Sequence, residues 1–203
     1  MRKKRILISQ RLDDVKEIGE RRDNLDIRLG ELIWNLGCTP VPVCSKITDV
    51  NSYLTELQPD GFVLSGGNDI GSKLERDHTE KTILSYSIEN HIPLMGICRG
   101  MQMINNYQGG SLVDVKSHVN CKHYITGRLV GGYKREVNSF HKYAINEQTL
   151  GNELEIMAKS DDAMIEAIMH KRYHWLGIMW HPERERSVSQ EDLQLFKEHF
   201  GVL

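Results

Sequence analysis

The feature that most constrains the fold of this sequence is an apolar run that leads directly into a glycine-flanked cysteine. Residues 92–97 are apolar, as expected for a strand buried on both faces, and residues 101–107 have helical spacing. Between them stands Gly96-Ile-Cys98-Arg-Gly100. A sharp turn from strand to helix crowds the backbone, and glycines two residues before and after the cysteine relieve that crowding. The sequence therefore predicts an α/β fold with a nucleophile elbow at Cys98.

The predicted position of Cys98 at the start of a helix also suits a nucleophile. The positive end of the helix dipole and the unpaired backbone N–H groups of the first turn favour the thiolate over the thiol. The alternative is a small buried cysteine whose neighbouring glycines merely allow close packing. Because strand, turn and helix agree, we interpret Cys98 as the nucleophile.

Elsewhere in the first half, short apolar runs alternate with stretches of helical spacing, which is typical of βαβ units with helices on both faces of a sheet. The predicted strands are residues 6–8, 41–43, 61–64 and 92–97, and the predicted helices are residues 25–36, 80–90 and 101–107. From residue 112 to residue 180 the runs are richer in β-formers, which predicts mixed or antiparallel strands. They include residues 164–169 and 174–180. A last helix, capped by Ser189, is predicted at residues 190–200.

A second motif, His181-Pro-Glu183, directly follows the apolar run that ends at Trp180. We expect it at the carboxyl edge of the sheet, where open α/β folds build their sites and where Cys98 would also emerge. Proline favours extended geometry in the residue before it, and residues two apart in an extended chain point the same way. Glu183 would then orient His181 for proton transfer with the cysteine. A histidine at a strand end and a solvated acid are the alternatives.

Together the motifs resemble a known family. Gly96-Ile-Cys-Arg-Gly-Met-Gln102 followed by His181-Pro-Glu183 is similar to the class I glutamine amidotransferases. Three further stretches are similar to its branch of free-standing γ-glutamyl hydrolases, of the peptidase C26 type: Ser65-Gly-Gly-Asn-Asp69, Gly109-Gly-Ser-Leu112 and Val137-Asn-Ser-Phe-His141. The resemblance implies an α/β, flavodoxin-like three-layer fold with a central, mostly parallel sheet and additional antiparallel strands. It implies one such domain over residues 1–203.

The activity implied by the resemblance is hydrolysis of a γ-glutamyl amide bond in a small molecule, through a thioester on the cysteine, with release of glutamate. The implied catalytic triad is Cys98, His181 and Glu183. The backbone N–H groups of Gly67 and Arg99 would form the oxyanion hole, a role that suits a glycine loop and a helix N-terminus.

The residues implied to hold the glutamyl group are Gln102, Ser139 and Phe140. Gln102 has a simpler alternative as a polar position on the helix after the elbow, and Ser139 as a turn residue. Asn68 and Asp69 would either reach the mouth of the site or cap the next turn.

Metal binding is a further question, because His118, Cys121 and His123 lie close together in the sequence, with His141 as a conceivable fourth ligand. Their spacing matches no common zinc pattern, and triad chemistry needs no metal. We therefore predict no metal and no cofactor.

Composition limits the other partners and the location of the chain. Its formal net charge is −2, which indicates neither nucleic acid nor membrane as a partner. No run approaches the roughly 20 apolar residues that cross a bilayer, and residues 1–5 lead into a strand without a small-residue cleavage site. We expect a cytoplasmic protein whose four cysteines stay reduced. The oligomeric state stays open, a homo-oligomer included.

Three other functions are compatible with parts of this pattern. A glutaminase subunit would use the same triad on glutamine and supply ammonia to a synthase in trans. A non-catalytic binding protein would have no need of an intact triad. A peptidase or thiol chaperone with a related core would have no need of the glutamyl-binding stretch.

The leaving half of the substrate is the least constrained part of this interpretation. Residues 116–135 contain five basic residues and no acidic one, and by the resemblance this segment borders the mouth of the site. Lys122 and Arg128 would then favour an anionic leaving half over a polyamine. This favours a phosphorylated or nucleotide amine, such as the γ-glutamyl-CDP-amidate of capsule phosphoramidate synthesis. A solvated basic loop is the alternative.

Overall fold

The computed structural model describes residues 2–202. Thirteen strands are described: β1 (Arg5–Ile8), β2 (Arg11–Val15), β3 (Glu20–Asn24), β4 (Thr39–Pro42), β5 (Gly61–Leu64), β6 (Leu94–Ile97), β7 (Val113–Asp114), β8 (Val119–Thr126), β9 (Arg135–Phe140), β10 (Tyr143–Ala144), β11 (Leu154–Ser160), β12 (Ile165–His170) and β13 (Trp175–Ile178). Five α-helices are described: α1 (Ile27–Asn35), α2 (Val50–Leu57), α3 (Leu74–Asn90), α4 (Arg99–Tyr107) and α5 (Gln190–Phe200). Single 3₁₀ turns lie at Arg128–Val130 and Pro182–Arg184.

Nine strands form the central sheet, in the order β4-β1-β5-β6-β13-β12-β11-β8-β9. The first five run parallel, and β12, β11, β8 and β9 continue the sheet in antiparallel pairs. This confirms the α/β class and the extension by antiparallel strands. Strands β6 and β13 are neighbours, with Gly96 opposite Gly177 and Ile97 opposite Ile178. Because both run the same way, the residues that follow them meet at one edge of the sheet.

The turn after β6 has no room for side chains at its two glycines. A Cβ at Gly96 would overlap the backbone of Gly100, and a Cβ at Gly100 would overlap the carbonyl of Leu64. Cys98 has φ of 52° and ψ of −106°, a backbone conformation that a side chain disfavours. The elbow predicted from the two glycines is therefore present, with Cys98 at its tip.

Two elements went unpredicted, the hairpin of β2 and β3 and the helix α2. The hairpin strands read RLDDV and ERRDN and are largely exposed, so they carry no apolar alternation. Helix α3 also starts six residues before the predicted bound of 80. Its first turns bury Arg76, Asp77 and Glu80, and buried charged residues hide the apolar spacing of a helix.

Within residues 2–202, no helix is long and apolar enough to cross a bilayer.

Candidate active site

A cavity of about 310 Å³ opens at the edge of the sheet where β6 and β13 end. It brings together residues from six parts of the chain. Its lining residues are Arg11, Gly67, Asp69, Cys98, Arg99, Gln102, Val119, Phe140, His141, Lys142, Tyr143, His181 and Arg184.

Cys98 is held between the sheet and helix α4. Its backbone N–H donates to the carbonyl of Ile178 in β13 at 2.7 Å, and its own carbonyl accepts from the N–H of Gln102 at 3.1 Å. The residue is 7% exposed, so the sulfur sits at the wall of the cavity near the N-terminus of α4. The positive end of the dipole of α4 therefore lies at this wall of the cavity.

His181 lines the same cavity, and its ring is oriented by an acid. Nδ1 of His181 lies 2.7 Å from Oε1 of Glu183, and both side chains are buried. The sequence predicted an extended chain here, but Pro182–Arg184 forms a 3₁₀ turn instead. The first residue of a helical turn has no acceptor for its backbone N–H, and proline has no N–H to leave unpaired. Proline therefore suits the start of a turn as well as an extended chain. This turn brings the carboxylate of Glu183 next to the imidazole of His181.

The protonation of His181 is set by opposing effects. Burial lowers the pKa of His181, but a Cys98 thiolate and the Glu183 carboxylate outweigh burial and raise the pKa to about 9. At neutral pH the His181 ring is therefore an imidazolium. It can donate a proton to a group bound beside it in the cavity.

Asn138 holds the backbone of His181 and was missed by the sequence analysis. Its Oδ1 accepts from the N–H of His181 at 2.8 Å, and its Nδ2 donates to the carbonyl of His181 at 2.8 Å. The same Nδ2 donates to Glu185 at 2.8 Å. A buried asparagine inside a strand was the available signal, because it needs partners that its own strand does not supply.

The two residues predicted for the oxyanion hole, Gly67 and Arg99, both line the cavity. Gly67 has φ of 117°, a conformation open to glycine. Behind it, Arg76 donates to the carbonyl of Ser65 at 2.7 Å and to that of Gly66 at 3.1 Å. Nε of Arg99 donates to the carbonyl of Asn68 at 2.9 Å. Two buried guanidinium groups therefore hold the loop that presents Gly67.

Buried acids balance these guanidinium groups. Glu80 accepts from Nε of Arg76 at 2.9 Å and forms an ion pair with Arg99, while Asp77 bonds to Arg99. Burial lowers the pKa of Arg76 to about 10 and that of Arg99 to about 9, so both stay charged at neutral pH. This ion-pair network spans α3, α4 and the loop that carries Gly67.

Of the residues predicted to hold a glutamyl group, Gln102 and Phe140 line the cavity, and Ser139 does not. Ser139 is fully buried, and its hydroxyl donates to the carbonyl of His118 at 2.6 Å. In a strand, neighbouring side chains point to opposite faces, so Phe140 faces the cavity and Ser139 faces away. Nε2 of Gln102 donates to the carbonyl of Tyr143 at 3.0 Å.

The basic segment borders the cavity as expected, but its cations do not. Within the described part of the chain, its only residue in the cavity lining is Val119. Lys122 lies 3.6 Å from Glu136, and Arg128 bonds to Glu155 at 2.7 Å. The expectation that these two cations border the mouth is therefore wrong, because acids on the neighbouring strands pair with them. Besides the buried Arg99, three cations from outside this segment line the cavity: Arg11, Lys142 and Arg184.

The hairpin of β2 and β3 carries Arg11 to this position. Oδ1 of Asn68 accepts from the N–H of Leu12 at 2.9 Å, and Nδ2 donates to its carbonyl at 3.2 Å. Asn68 thus attaches the hairpin to the loop of Gly67. Its main contacts are therefore neither at the mouth of the site nor at a turn cap, the two roles that the sequence suggested. Asp69 does reach the cavity, where it pairs with Lys142 at 2.8 Å.

Comparison with known proteins identifies the family. The family model of peptidase C26 matches residues 8–183. This chain belongs to the peptidase C26 family. Gamma-glutamyl-CDP-amidate hydrolase of Campylobacter jejuni is 34% identical over 206 aligned residues, with 97% of each chain covered. A hydrolase of the glutamine amidotransferase-like kind is supported, and the predicted resemblance is confirmed.

More distant relatives of this peptidase C26 protein include a glutamine-dependent enzyme. One component of the glutamine-hydrolysing GMP synthase of Methanococcus maripaludis is 26% identical, covering 71% of this chain and 75% of its own. The crystal structure of a protein assigned to the same GMP synthase component in Thermoplasma acidophilum superposes with a TM-score of 0.76 at 23% identity, covering 100% of this chain and 94% of the other. The structural likeness confirms the class I glutamine amidotransferase fold.

Proposed function

We propose that this protein hydrolyses the γ-glutamyl amide bond of a small-molecule conjugate through a thioester on Cys98. The observation that carries the proposal is the meeting of Cys98 and His181 in one cavity, with Glu183 bonded to the far nitrogen of the imidazole. This is the relative placement that a nucleophile, a base and an orienting acid need.

In the proposed first half-reaction, the Cys98 thiolate attacks the γ-carbonyl carbon and the carbonyl becomes an oxyanion. The N–H groups of Gly67 and Arg99 donate to that oxyanion. When the C–N bond breaks, the His181 imidazolium gives its proton to the departing nitrogen, and a γ-glutamyl thioester remains. His181 then takes a proton from water, whose oxygen attacks the thioester carbon. The C–S bond breaks, glutamate leaves, and the Cys98 thiolate and the His181 imidazolium are restored.

The leaving half, we propose further, is a phosphorylated or nucleotide amine. The relative from Campylobacter jejuni is a gamma-glutamyl-CDP-amidate hydrolase, and 34% identity over nearly the whole chain favours a related substrate. A role in capsule phosphoramidate synthesis would follow from that substrate. Arg11 and Arg184 line both this cavity and the adjoining cleft below the hairpin, so they suit phosphate oxygens.

The substrate test is a panel of γ-glutamyl compounds assayed for glutamate release. We expect kcat/KM to be highest for a γ-glutamyl nucleotide amidate and lower for γ-glutamyl-γ-aminobutyrate, a γ-glutamyl polyamine and glutamine. In Arg11→Ala and Arg184→Ala the preference should fall by about 10-fold or more, because a charge-assisted hydrogen bond contributes roughly 1.5–3 kcal/mol.

Lys122→Ala and Arg128→Ala are the matched controls, since both cations lie outside the cavity lining and pair with acids. They should keep the wild-type preference. Preference for glutamine, with activation by a synthase, would instead identify a glutaminase subunit. Equal rates on all conjugates would contradict the assignment of the leaving half.

The pKa of His181 predicts the pH dependence of the reaction. Since the first step needs an imidazolium, kcat/KM should fall about tenfold per pH unit above pH 9, where His181 loses its proton.

The pKa of His181 in the folded protein lies above the usual 6.5, so the stabilisation by charged His181 is complete below pH 6.5 and is lost as pH rises through about 9. Urea unfolding as a function of pH measures the second effect. Cys98→Ala should weaken this alkaline loss of stability, and a flat rate profile up to pH 10 would contradict the thiolate–imidazolium pair.

A further inference from the structure

A second group of titratable side chains lies behind the wall of the cavity. His118, His141 and Glu166 are buried. His118 directly precedes β8, His141 directly follows β9, and Glu166 lies in β12. Nδ1 of His118 lies 3.3 Å from Nε2 of His141. Oε1 of Glu166 lies 3.7 Å from that Nδ1 and 3.5 Å from that Nε2. Three ligand atoms therefore surround one small space.

The outer nitrogens of the two rings determine which atoms face this space. Nε2 of His118 bonds to Oδ2 of Asp162 at 2.8 Å, and Nδ1 of His141 bonds to the carbonyl of Tyr143 at 2.9 Å. Both partners are acceptors, so these outer nitrogens carry the protons. In the tautomers that place one proton on each outer nitrogen, the two inner nitrogens present lone pairs to each other at 3.3 Å.

Glu166 adds a third acceptor to the same space. Its side chain is fully buried, and neither carboxylate oxygen makes a hydrogen bond within the described structure. Facing lone pairs and a buried, unbonded carboxylate repel one another unless a cation lies among them.

We propose that His118, His141 and Glu166 bind a divalent transition-metal ion, with zinc as the best match. Zinc bonds of about 2.0–2.2 Å in a tetrahedral arrangement place the ligand atoms roughly 3.4 Å apart, close to the three separations in this cluster. Two imidazoles and one carboxylate are a common zinc ligand set. The partners of the outer ring nitrogens, a carboxylate and a backbone carbonyl, are those that usually orient zinc-binding histidines.

His123 is the candidate for a fourth ligand. Its Nε2 lies 3.3 Å from Oε2 of Glu166 and has no hydrogen-bond partner among the described residues. Cys121, which the sequence grouped with the histidines, is excluded from the three-ligand set, and its thiol donates to the carbonyl of Ser117 at 3.1 Å. Sequence spacing missed this set because Glu166 comes from a distant strand.

The ion would fix one wall of the cavity rather than take part in the triad chemistry. The carbonyl of His118 accepts from Ser139 at 2.6 Å and from the N–H of His141 at 3.0 Å. The carbonyl of Tyr143 accepts from His141 and also from Gln102. Metal bonds to the two histidines would therefore restrain residues 139–143 and, through Tyr143, the amide of Gln102.

Metal content of the purified, untagged chain tests the proposal. After incubation with zinc and dialysis, wild-type protein should hold about one zinc per chain, and cobalt(II) should give the visible absorption of a tetrahedral site. Glu166→Gln and His118→Ala should each weaken zinc binding by about 100-fold or more, since changes next to metal ligands alone cost 10–100-fold. Zinc should raise the Tm of the wild type and leave that of Glu166→Gln unchanged.

The controls separate this site from other zinc ligands. Cys98→Ala removes the thiol of the active site, and His78→Ala removes an exposed histidine; both should keep the bound zinc. No zinc above background in the wild type would overturn the proposal, as would full binding by Glu166→Gln and His118→Ala. A protonated imidazole in the cluster, visible by ¹⁵N NMR of the histidine rings, would then be the cation. None of these readouts depends on the proposed hydrolysis.

Discussion

Cys98→Ala should lower the rate of glutamate release by at least about 10³-fold, the scale on which removing one member of a catalytic triad acts. Cys98 supplies the sulfur of the proposed thioester, and no neighbouring side chain in the cavity lining offers another thiol. The change removes a single sulfur from a residue at the cavity wall, so the Tm should stay close to that of the wild type. Steady-state glutamate release and thermal unfolding measure the two effects.

The control for this change is Cys44→Ala, which removes a half-buried free thiol outside the cavity and should leave the rate unaltered. A stronger test uses Cys98→Ser, whose slower nucleophile should accumulate a γ-glutamyl ester that intact-protein mass spectrometry detects. Glutamate release near the wild-type rate in Cys98→Ala would exclude the cysteine mechanism. Turnover without any adduct on residue 98 would indicate direct attack by water.

Glu80→Gln should produce the largest loss of stability, about 3–5 kcal/mol, because it leaves buried positive charge without its partner. Glu80 is fully buried and contacts Arg76, Arg99 and, at 2.8 Å, the hydroxyl of Ser9. The side chains differ little in size, so the loss reports the charge rather than a cavity. Urea unfolding of the folded variant and the wild type measures the difference in the free energy of unfolding.

Glu75→Gln is the matched control on the same helix, since Glu75 pairs with Arg21 at the protein surface. Surface ion pairs contribute little, so the urea midpoint of Glu75→Gln should stay near that of the wild type. Equal midpoints for the Glu80 and Glu75 variants would show that the buried network does not hold the loop of Gly67. Because that loop is part of the proposed oxyanion hole, Glu80→Gln should also lower kcat more than it raises KM.

Much of the sheet and the elbow could be predicted because their signals are local. Strand β5 and helix α5 have the predicted bounds, and the glycines around Cys98 identify the turn from five consecutive residues. The β2–β3 hairpin could not be predicted in the same way. Its strands bury little apolar surface, and its position depends on Asn68, far along the chain.

Prediction of the site followed the same division. Cys98, His181 and Glu183 belong to two short motifs, and the parallel order of β6 and β13 brings those motifs together. The supporting contacts join residues distant in sequence, such as Asn138 with the backbone of His181, and no local pattern encodes them. The prediction that cations of the basic segment border the site failed for a related reason. A count of charges cannot show which acids lie on the neighbouring strands.

The attachment of the hairpin through Asn68 has a consequence for how such a chain changes over evolution. Within residues 2–202, strands β2 and β3 pair only with each other and lie outside the nine-stranded sheet, so substitutions there leave the sheet and the elbow intact. Arg11 nevertheless reaches the cavity, and its stem covers Gly67. If Arg11 contacts the leaving half, substitutions in this surface hairpin can change which substrate the protein prefers. The bond-breaking machinery would be inherited unchanged.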